Sequence, residues 1–285
     1  MSGEIVNSIY DLTMEELENY FLEHQDKKFH AVQLFEWLYQ KRIKTIEEAT
    51  NLKKETREQL KKDFSFQNIT ITSVEEGEGV KKYLFTLNDQ EHIEAVLMYH
   101  DYGLSLCISS QVGCNMGCAF CESGRRKKVR NLTTGEMVEQ ILQIEESCGE
   151  RIRHVVVMGI GEPFDNYDNV CKMIQIINHP KGLNIGARHI TVSTCGIVPK
   201  IREFSDFPYQ VNLAVSLHAP NDTLRKALMP IAKVYPLKEL MEAIEEYEKK
   251  TSRRLTFEYI LLKNVNDKEE QARELVSLLK GKNAY

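Results

Sequence analysis

From residue 104 to the end, short apolar runs alternate with amphipathic stretches, and this rhythm limits the fold more than any other property of the sequence. The runs Leu104–Ser109, His154–Met158, His189–Ser193, Val211–Leu217 and Leu255–Leu262 read as strands. Helices are expected between them, at about 134–147, 168–178, 222–228, 237–250 and 267–280. Strands separated by helices must cross over to lie parallel, so the expectation is an α/β fold with a parallel sheet, closed as a partial barrel or doubly wound. In parallel barrels the chemistry collects at the C-terminal ends of the strands.

The first part of the chain follows different rules. Thr13-x-x-Glu16 and Thr45-x-x-Glu48 are capping boxes that announce helix starts. Ala31, Leu34, Phe35 and Leu38 repeat at helical spacing and mark a buried face, with Trp37 off that stripe and expected to pack against the next layer. Residues 69–72, 82–87 and 93–98 read as strands joined by turns at Gly77-Glu-Gly79 and Asn88-Asp89, a small antiparallel meander. The organisation expected is a helical accessory domain over residues 1–68, a β-meander connector over 69–100 and a partial barrel over 101–285.

The net charge of −5 excludes a globally basic nucleic-acid binder, so any RNA contact must come from a local patch. Arg125-Arg126-Lys127-Lys128-Val129-Arg130 is such a patch. Lys27-Lys28 and Lys41-Arg42-x-Lys44 offer another. The acidic N-terminus lacks the basic and apolar regions of a secretory signal, and no apolar run reaches the roughly 18 residues of a membrane span. Seven cysteines, three of them clustered, fit a reducing cytoplasm better than a disulfide framework.

The clustered cysteines, Cys114, Cys118 and Cys121, form a C-x3-C-x2-C run directly after the first barrel strand, with Gly113 and Gly117 easing the backbone around them. Structural zinc takes four ligands, usually in separated pairs, and no matching pair follows. Three thiolates on one loop suit three corners of a [4Fe-4S] cubane, leaving one iron open for another ligand. The next strands end in Gly159-Ile160-Gly161-Glu162-Pro163, in Val192-Ser193-Thr194-Cys195-Gly196 and in Ser216-Leu217-His218-Ala219-Pro220. Glu162 could accept from an ammonium, and the hydroxyls and imidazole could meet ribose hydroxyls or a carboxylate. Alone, Glu94 would be an ordinary strand carboxylate and Cys107 a small core residue.

The C-x3-C-x-aromatic-C run, with Phe120 as its aromatic, resembles the signature of the radical S-adenosylmethionine superfamily. Together with the segments 106–114, 130–133, 159–163, 192–194 and 216–221, and with the helical head and the 92–96 strand, it resembles the Cfr/RlmN family of radical RNA adenine methyltransferases over nearly the whole chain. The resemblance implies that Cys114, Cys118 and Cys121 bind a [4Fe-4S] cluster, and that Gly161, Glu162, Ser193, Ser216, Leu217 and His218 line an S-adenosylmethionine site. It also implies that Glu94 is the proton acceptor and that Cys107 resolves a covalent intermediate. The implied substrate is C2 of an adenosine in 23S rRNA and in tRNA, flipped out of its stack, with C8 the other carbon methylated within the family. In that family one cofactor methylates a C-terminal cysteine and a second supplies the radical that activates the methyl group. The implied partners are RNA and an electron donor such as flavodoxin or ferredoxin, and the protein is expected to be a cytoplasmic monomer.

The sequence departs from the family at its C-terminus, Gly281-Lys282-Asn283-Ala284-Tyr285. The family's sixth strand begins about there, and its methyl-bearing cysteine and a cofactor-contacting asparagine lie further on. The expectation is therefore a C-terminally truncated member that assembles the cluster without completing methylation, with the edge of its fifth barrel strand exposed. Glu122-Ser123 and the basic run also replace a small uncharged loop. Cys148, Cys171 and Cys195 are read as structural.

Overall fold

The structure, a computed structural model, describes residues 7–285. The chain segments up to Ser109, Leu132–Val155 and Asp168–Gly186 form one compact unit, and Ser110–Asn131, Val156–Tyr167 and Ala187–Tyr285 form a second. Among the described residues no helix is long and apolar enough to cross a membrane.

The first unit begins with α1 (Met14–Glu23), whose capping box is complete: Glu16 N donates to Thr13 Oγ1 and Thr13 N donates to Glu16 Oε2. In α2 (Lys28–Glu36) the expected stripe is enclosed, with Ala31, Leu34, Phe35 and Leu38 no more than 1% exposed. The helix runs on into a π-helical turn over Trp37–Lys41, which Arg42 ends in the left-handed region at φ 60°. Trp37 opens this turn. It is half-buried, its indole N–H donates to Asn51, and the Lys41 ammonium lies 3.4 Å from its ring centroid. The Thr45 box opens only a single 3-10 turn, Ile46–Glu48, and α3 (Lys54–Asp63) starts later.

The meander consists of β1 (Ile69–Gly77), β2 (Val80–Leu87) and β3 (His92–His100), all antiparallel. Tyr83, Phe85, Leu87, Ile93, Ala95 and Leu97 alternate onto a face that is at most 1% exposed. β4 (Gly103–Cys107), expected only to open the parallel series, is also antiparallel to β3 and extends the meander. α4 (Thr134–Cys148) carries a complete Thr133–Glu136 capping box and ends at Gly149, φ 73°.

β5 (Ile152–Val157) and α5 (Tyr167–Asn178) each divide between the two units. The second unit holds β6 (Ile190–Thr194), β7 (Asn212–Ser216) and β8 (Leu255–Glu258), parallel throughout. Their register aligns the chemistry, with Ser193 opposite Ala214 and Ser216 opposite Glu258. α6 (Val198–Phe204), absent from the sequence reading, has Pro199 in its first turn, where a missing N–H costs nothing. α7 (Asp222–Leu228), α8 (Leu237–Thr251) and α9 (Glu269–Leu279) follow close to their expected positions. β8 stops four residues before the expected Leu262, because Ile260 N turns to His218 Nδ1 and Leu262 N to Asn266 Oδ1. Nor is the edge of β8 bare as expected. Leu255 N donates to Asn283 O at 3.2 Å, Tyr285 N to Leu255 O at 2.9 Å and Phe257 N to Tyr285 O at 3.1 Å, with a parallel bridge between Leu255 and Ala284.

Candidate cluster and cofactor site

The cysteine loop is closed at its base by a two-residue antiparallel ladder, Gln111–Val112 against Arg130–Asn131. Inside it, Cys114 N donates to Arg126 O at 2.9 Å and Lys128 N to Asn115 Oδ1 at 3.0 Å. Gly113 sits at φ 72°, and a Cβ there would lie 2.3 Å from Lys127 O, so only glycine lets the two sides of the loop approach this closely. Cys121 N turns back to Cys118 O at 3.1 Å, and Ala119 N ties the loop to Leu228 O at the end of α7 at 2.8 Å.

All three cysteines are free. Cys114 is buried, and Cys118 and Cys121 are half-buried. Burial raises the Cys114 thiol, and it pushes the Cys118 thiol up to about 12, with Cys121 and Cys114 as further causes. Thiols crowded in this way become ligands when a positive centre stabilises their thiolates, which an iron–sulfur cluster does. Among the described residues no three His, Cys, Asp or Glu side chains are gathered around a single metal-ion position. A cubane does not need that arrangement, since each thiolate binds a different iron. The donor set therefore fits the cluster that the sequence reading expects.

The loop after β5 supplies the next residues. Ser110 N and Gln111 N both donate to Ile160 O, at 2.9 and 3.1 Å. Gly161 adopts φ 114°, and a Cβ there would fall 2.7 Å from that of Gln111. Glu162 follows, only 3% exposed. Its Oε2 accepts from Cys195 N at 2.7 Å and its Oε1 from Phe164 N at 3.0 Å, while its own N–H donates to Gln111 Oε1 at 2.9 Å. Burial raises the Glu162 carboxyl, and the hydrogen bonds from Cys195, Thr194 and Phe164 oppose that rise. A buried carboxylate at a strand end has a clear chemical use: it favours a cationic donor such as an ammonium.

Ser193, at the end of β6, and Ser216, at the end of β7, both donate to Glu258 Oε2, at 3.1 and 2.8 Å. The Leu217 side chain is fully enclosed, and its N–H donates to Glu258 O at 3.0 Å. His218 takes φ 54°, an unusual left-handed setting for a side chain of its size. Its Nδ1 accepts from Ile260 N at 3.1 Å, which leaves the ring proton on Nε2. Burial, with Arg225 as a second cause, lowers His218 to about 4, so the ring is neutral at physiological pH. Phe120, from the cysteine loop, meets it edge to face at 4.7 Å.

Three residues that the sequence reading did not single out hold this arrangement together. Arg225 is fully buried, and its Nη2 donates to Cys195 O at 2.7 Å and Ser216 O at 3.3 Å, while its Nε donates to Leu217 O at 3.3 Å. Asn266, 2% exposed, donates to His218 O and Ile260 O, both at 2.8 Å. Glu258 gathers the two serines. Glu258 lies in the middle of the expected 255–262 strand and Arg225 inside a helix, so their spacing in the sequence gives no signal for this role.

Glu94 and Cys107 belong to the first unit. The β3–β4 register pairs Val96 with Cys107, so Glu94, two residues earlier, shares a sheet face with Cys107 as a diagonal neighbour. Glu94 is half-exposed, with Lys82 Nζ 3.4 Å from its Oε1.

A cysteine loop, a Gly-Glu-Pro turn and polar strand ends on a parallel sheet define a radical S-adenosylmethionine protein, and the profile of the Radical SAM superfamily matches residues 108–276. A second profile, the ribosomal RNA large subunit methyltransferase N-terminal domain, matches residues 7–65. A probable dual-specificity RNA methyltransferase RlmN of Listeria welshimeri is 53% identical over 279 residues, covering 96% of this chain and 76% of the relative. The Spiroplasma citri protein of the same name is 50% identical, over 98% of this chain and 82% of the relative. The crystal structure of a radical SAM methyltransferase from Sphaerobacter thermophilus superposes with a TM-score of 0.92 at 40% identity, covering 98% of this chain and 83% of that one. The chain belongs to the RlmN family of radical S-adenosylmethionine RNA methyltransferases. A [4Fe-4S] cluster and S-adenosylmethionine are the cofactors of that family.

Proposed function

We propose that the protein methylates C2 of an adenosine in 23S rRNA and in tRNA, passing the methyl group through a cysteine that is not one of the seven in residues 1–285. The observation that carries this reading is the convergence of the cysteine loop, Glu162, Ser193, Ser216 and His218 in one unit, at strand ends or the loops that follow them. C2 of adenine is electron-poor and does not attack a sulfonium methyl. When bound, the cluster and cofactor supply a one-electron cleavage that opens a radical route instead.

Cys114, Cys118 and Cys121 hold the cluster. Gly161 and Glu162 take the amino end of the cofactor, while Ser193, Ser216, the Leu217 backbone and His218 enclose the remainder. The neutral His218 offers an Nε2–H donor. Glu94 accepts the C2 proton on a carboxylate oxygen, and the neighbouring Lys82 restrains that carboxylate. Cys107, on the same sheet face, releases the product. Cys195 is a poor methyl carrier, being 7% exposed, with its thiol raised first by burial and then by Glu162. The basic run at 125–130 contacts RNA phosphates, although Lys128 is already paired with Asp165 at 2.6 Å and Arg125 with Glu122 at 3.3 Å. The electron comes from a flavodoxin- or ferredoxin-type donor, and the protein works as a cytoplasmic monomer.

The test is nucleoside analysis by mass spectrometry. Protein expressed from its natural gene, reconstituted without oxygen, is incubated with reductant, methyl-labelled S-adenosylmethionine and either RNA. Label in 2-methyladenosine is expected from both RNAs, and Glu94→Gln should slow its formation by about 10²- to 10⁴-fold at unchanged cluster content. Label in 8-methyladenosine would overturn the choice of carbon. An unlabelled RNA, with cluster and cofactor both bound, would overturn methyl transfer.

A further inference from the structure

We infer that His92 is a specificity-determining residue that stacks on the nucleotide next to the target adenosine, an assignment that rests on the role of Glu94 proposed above. One face of the meander is enclosed and the other is not. On the open face Leu84, Thr86, Glu94 and Val96 are half-buried and His92 is exposed. His92 and Glu94 are two residues apart on β3, about 7 Å along that face. Cys107, opposite Val96, lies on the other side of Glu94. The order along the face is therefore Cys107, Glu94, His92.

His92 is held in place. Its register partner is Thr86, and Thr86 Oγ1 shares a hydrogen bond with His92 Nδ1 at 3.2 Å. Thr86 Oγ1 shares another with Thr72 Oγ1. Thr72 is the extra residue of a β-bulge in β1, since Ile71 pairs with Phe85 and Ser73 with Leu84. Bulges re-aim side chains and are over-represented beside active sites. The imidazole is thus anchored at Nδ1, while Nε2 takes no hydrogen bond from the described residues. An exposed, oriented imidazole offers a flat π-surface and one polar edge. Unstacked RNA bases are held in this way, on aromatic side chains that include histidine. The target adenosine must leave its stack to reach Glu94, and the next nucleotide stays within one backbone step of it. Of the two neighbours of Glu94 on this face of β3, Val96 is paired with Cys107 and His92 is the exposed one. A phosphate here would meet the Glu94 carboxylate, and Lys82, 3.4 Å from Glu94, is shared with Glu75 at 3.1 Å. The base, and not the phosphate, therefore faces His92.

The experiment measures 2-methyladenosine formation, without oxygen, on a tRNA assembled by ligation. Two further versions carry an abasic residue on the 5′ or the 3′ side of the target adenosine. Cluster-loaded protein expressed from its natural gene is compared as wild type, His92→Ala, Thr86→Val and Thr86→Ser. His92→Ala should lower kcat/KM on the intact RNA about 5- to 150-fold, mainly through KM, whereas Glu94→Gln acts on kcat. One of the two abasic RNAs should cost the wild type a similar factor and cost His92→Ala almost nothing more. The other should cost both proteins alike. Thr86→Val removes the hydroxyl that orients the ring and should show a smaller loss with the same selective coupling, and Thr86→Ser should restore the wild-type values. This pair decides the matter if His92→Ala fails to load a cluster. Losses that add at both positions would overturn the role of His92 and leave that of Glu94 standing. A cluster-loaded wild type that forms no 2-methyladenosine on the intact RNA would overturn the proposed function and this inference together.

Discussion

Single residues set the pH behaviour of the fold. Glu139, on α4, is 2% exposed and accepts from Asn68 N at 2.9 Å and from Asn68 Nδ2. Burial raises its carboxyl from 4.5 to about 7, against the lowering effect of Asn68. The folded state therefore binds this proton more tightly than the unfolded chain does. Its stabilising contribution is complete below pH 4.5 and is lost as pH rises to about 7, a change of about 3 kcal/mol. Glu139→Gln should flatten that part of the profile, read as the thermal midpoint between pH 5 and pH 8. An unchanged slope would assign the dependence to another group. At this scale the sequence was legible where spacing carries the chemistry, as with the three cysteines, whose separation matches a shared cluster. Glu258 was hidden because a lone glutamate in an apolar strand looks like any solvent-facing one, and only the register of β7 and β8 brings it to Ser216. Arg225 was hidden because its partners are carbonyl oxygens, and backbone atoms leave no mark in a sequence.

The elements that place the site are loops pinned by glycine and helices started by caps. Gly113 and Gly117 both adopt positive φ, at 72° and 63°, but their surroundings differ. A Cβ at 113 would meet Lys127 O at 2.3 Å, whereas one at 117 would find only Pro230 Cγ, at 3.7 Å. Both substitutions carry the left-handed penalty of roughly 1–2 kcal/mol for an alanine. Only Gly113→Ala must also push the loop open. Iron and sulfide per chain after reconstitution should therefore fall at least about two-fold further for Gly113→Ala than for Gly117→Ala. Equal retention would mean that the loop does not depend on this close approach. The boxes at Thr13 and Thr133 announced α1 and α4 because each side chain closes on its own backbone, a strictly local event. α6 was missed because a proline reads as a breaker unless its place in the first turn is known. The π-helical turn after α2 was missed because nothing in Trp37–Lys41 departs from ordinary helical composition. The end of β8 depended on Asn266, four residues beyond Leu262, and on His218, which is remote in sequence from the strand.

For the molecule as a whole, the proposed site residues divide between two compact units. The cluster loop, Glu162 and the polar ends of β6–β8 occupy one, and Glu94 and Cys107 share a sheet face in the other. The net charge of −5 gives no globally basic surface, so the proposed RNA contact is left to local runs such as 125–130. Strand and helix order was legible from the alternation of runs, since crossover geometry leaves a parallel sheet few other arrangements. The role of β4 in the meander was not, because antiparallel pairing with β3 depends on a tight turn at 101–102 and not on the strand's own composition. The proposed chemistry rests first on Cys114, Cys118 and Cys121 holding a cluster with one iron open to the cofactor. Electron paramagnetic resonance of the reconstituted, reduced protein, with and without S-adenosylmethionine, tests it most directly. A [4Fe-4S] signal is expected that shifts when the cofactor is added and that is lost in Cys118→Ser. A signal unmoved by the cofactor, or reconstituted protein that holds zinc in place of iron, would contradict it.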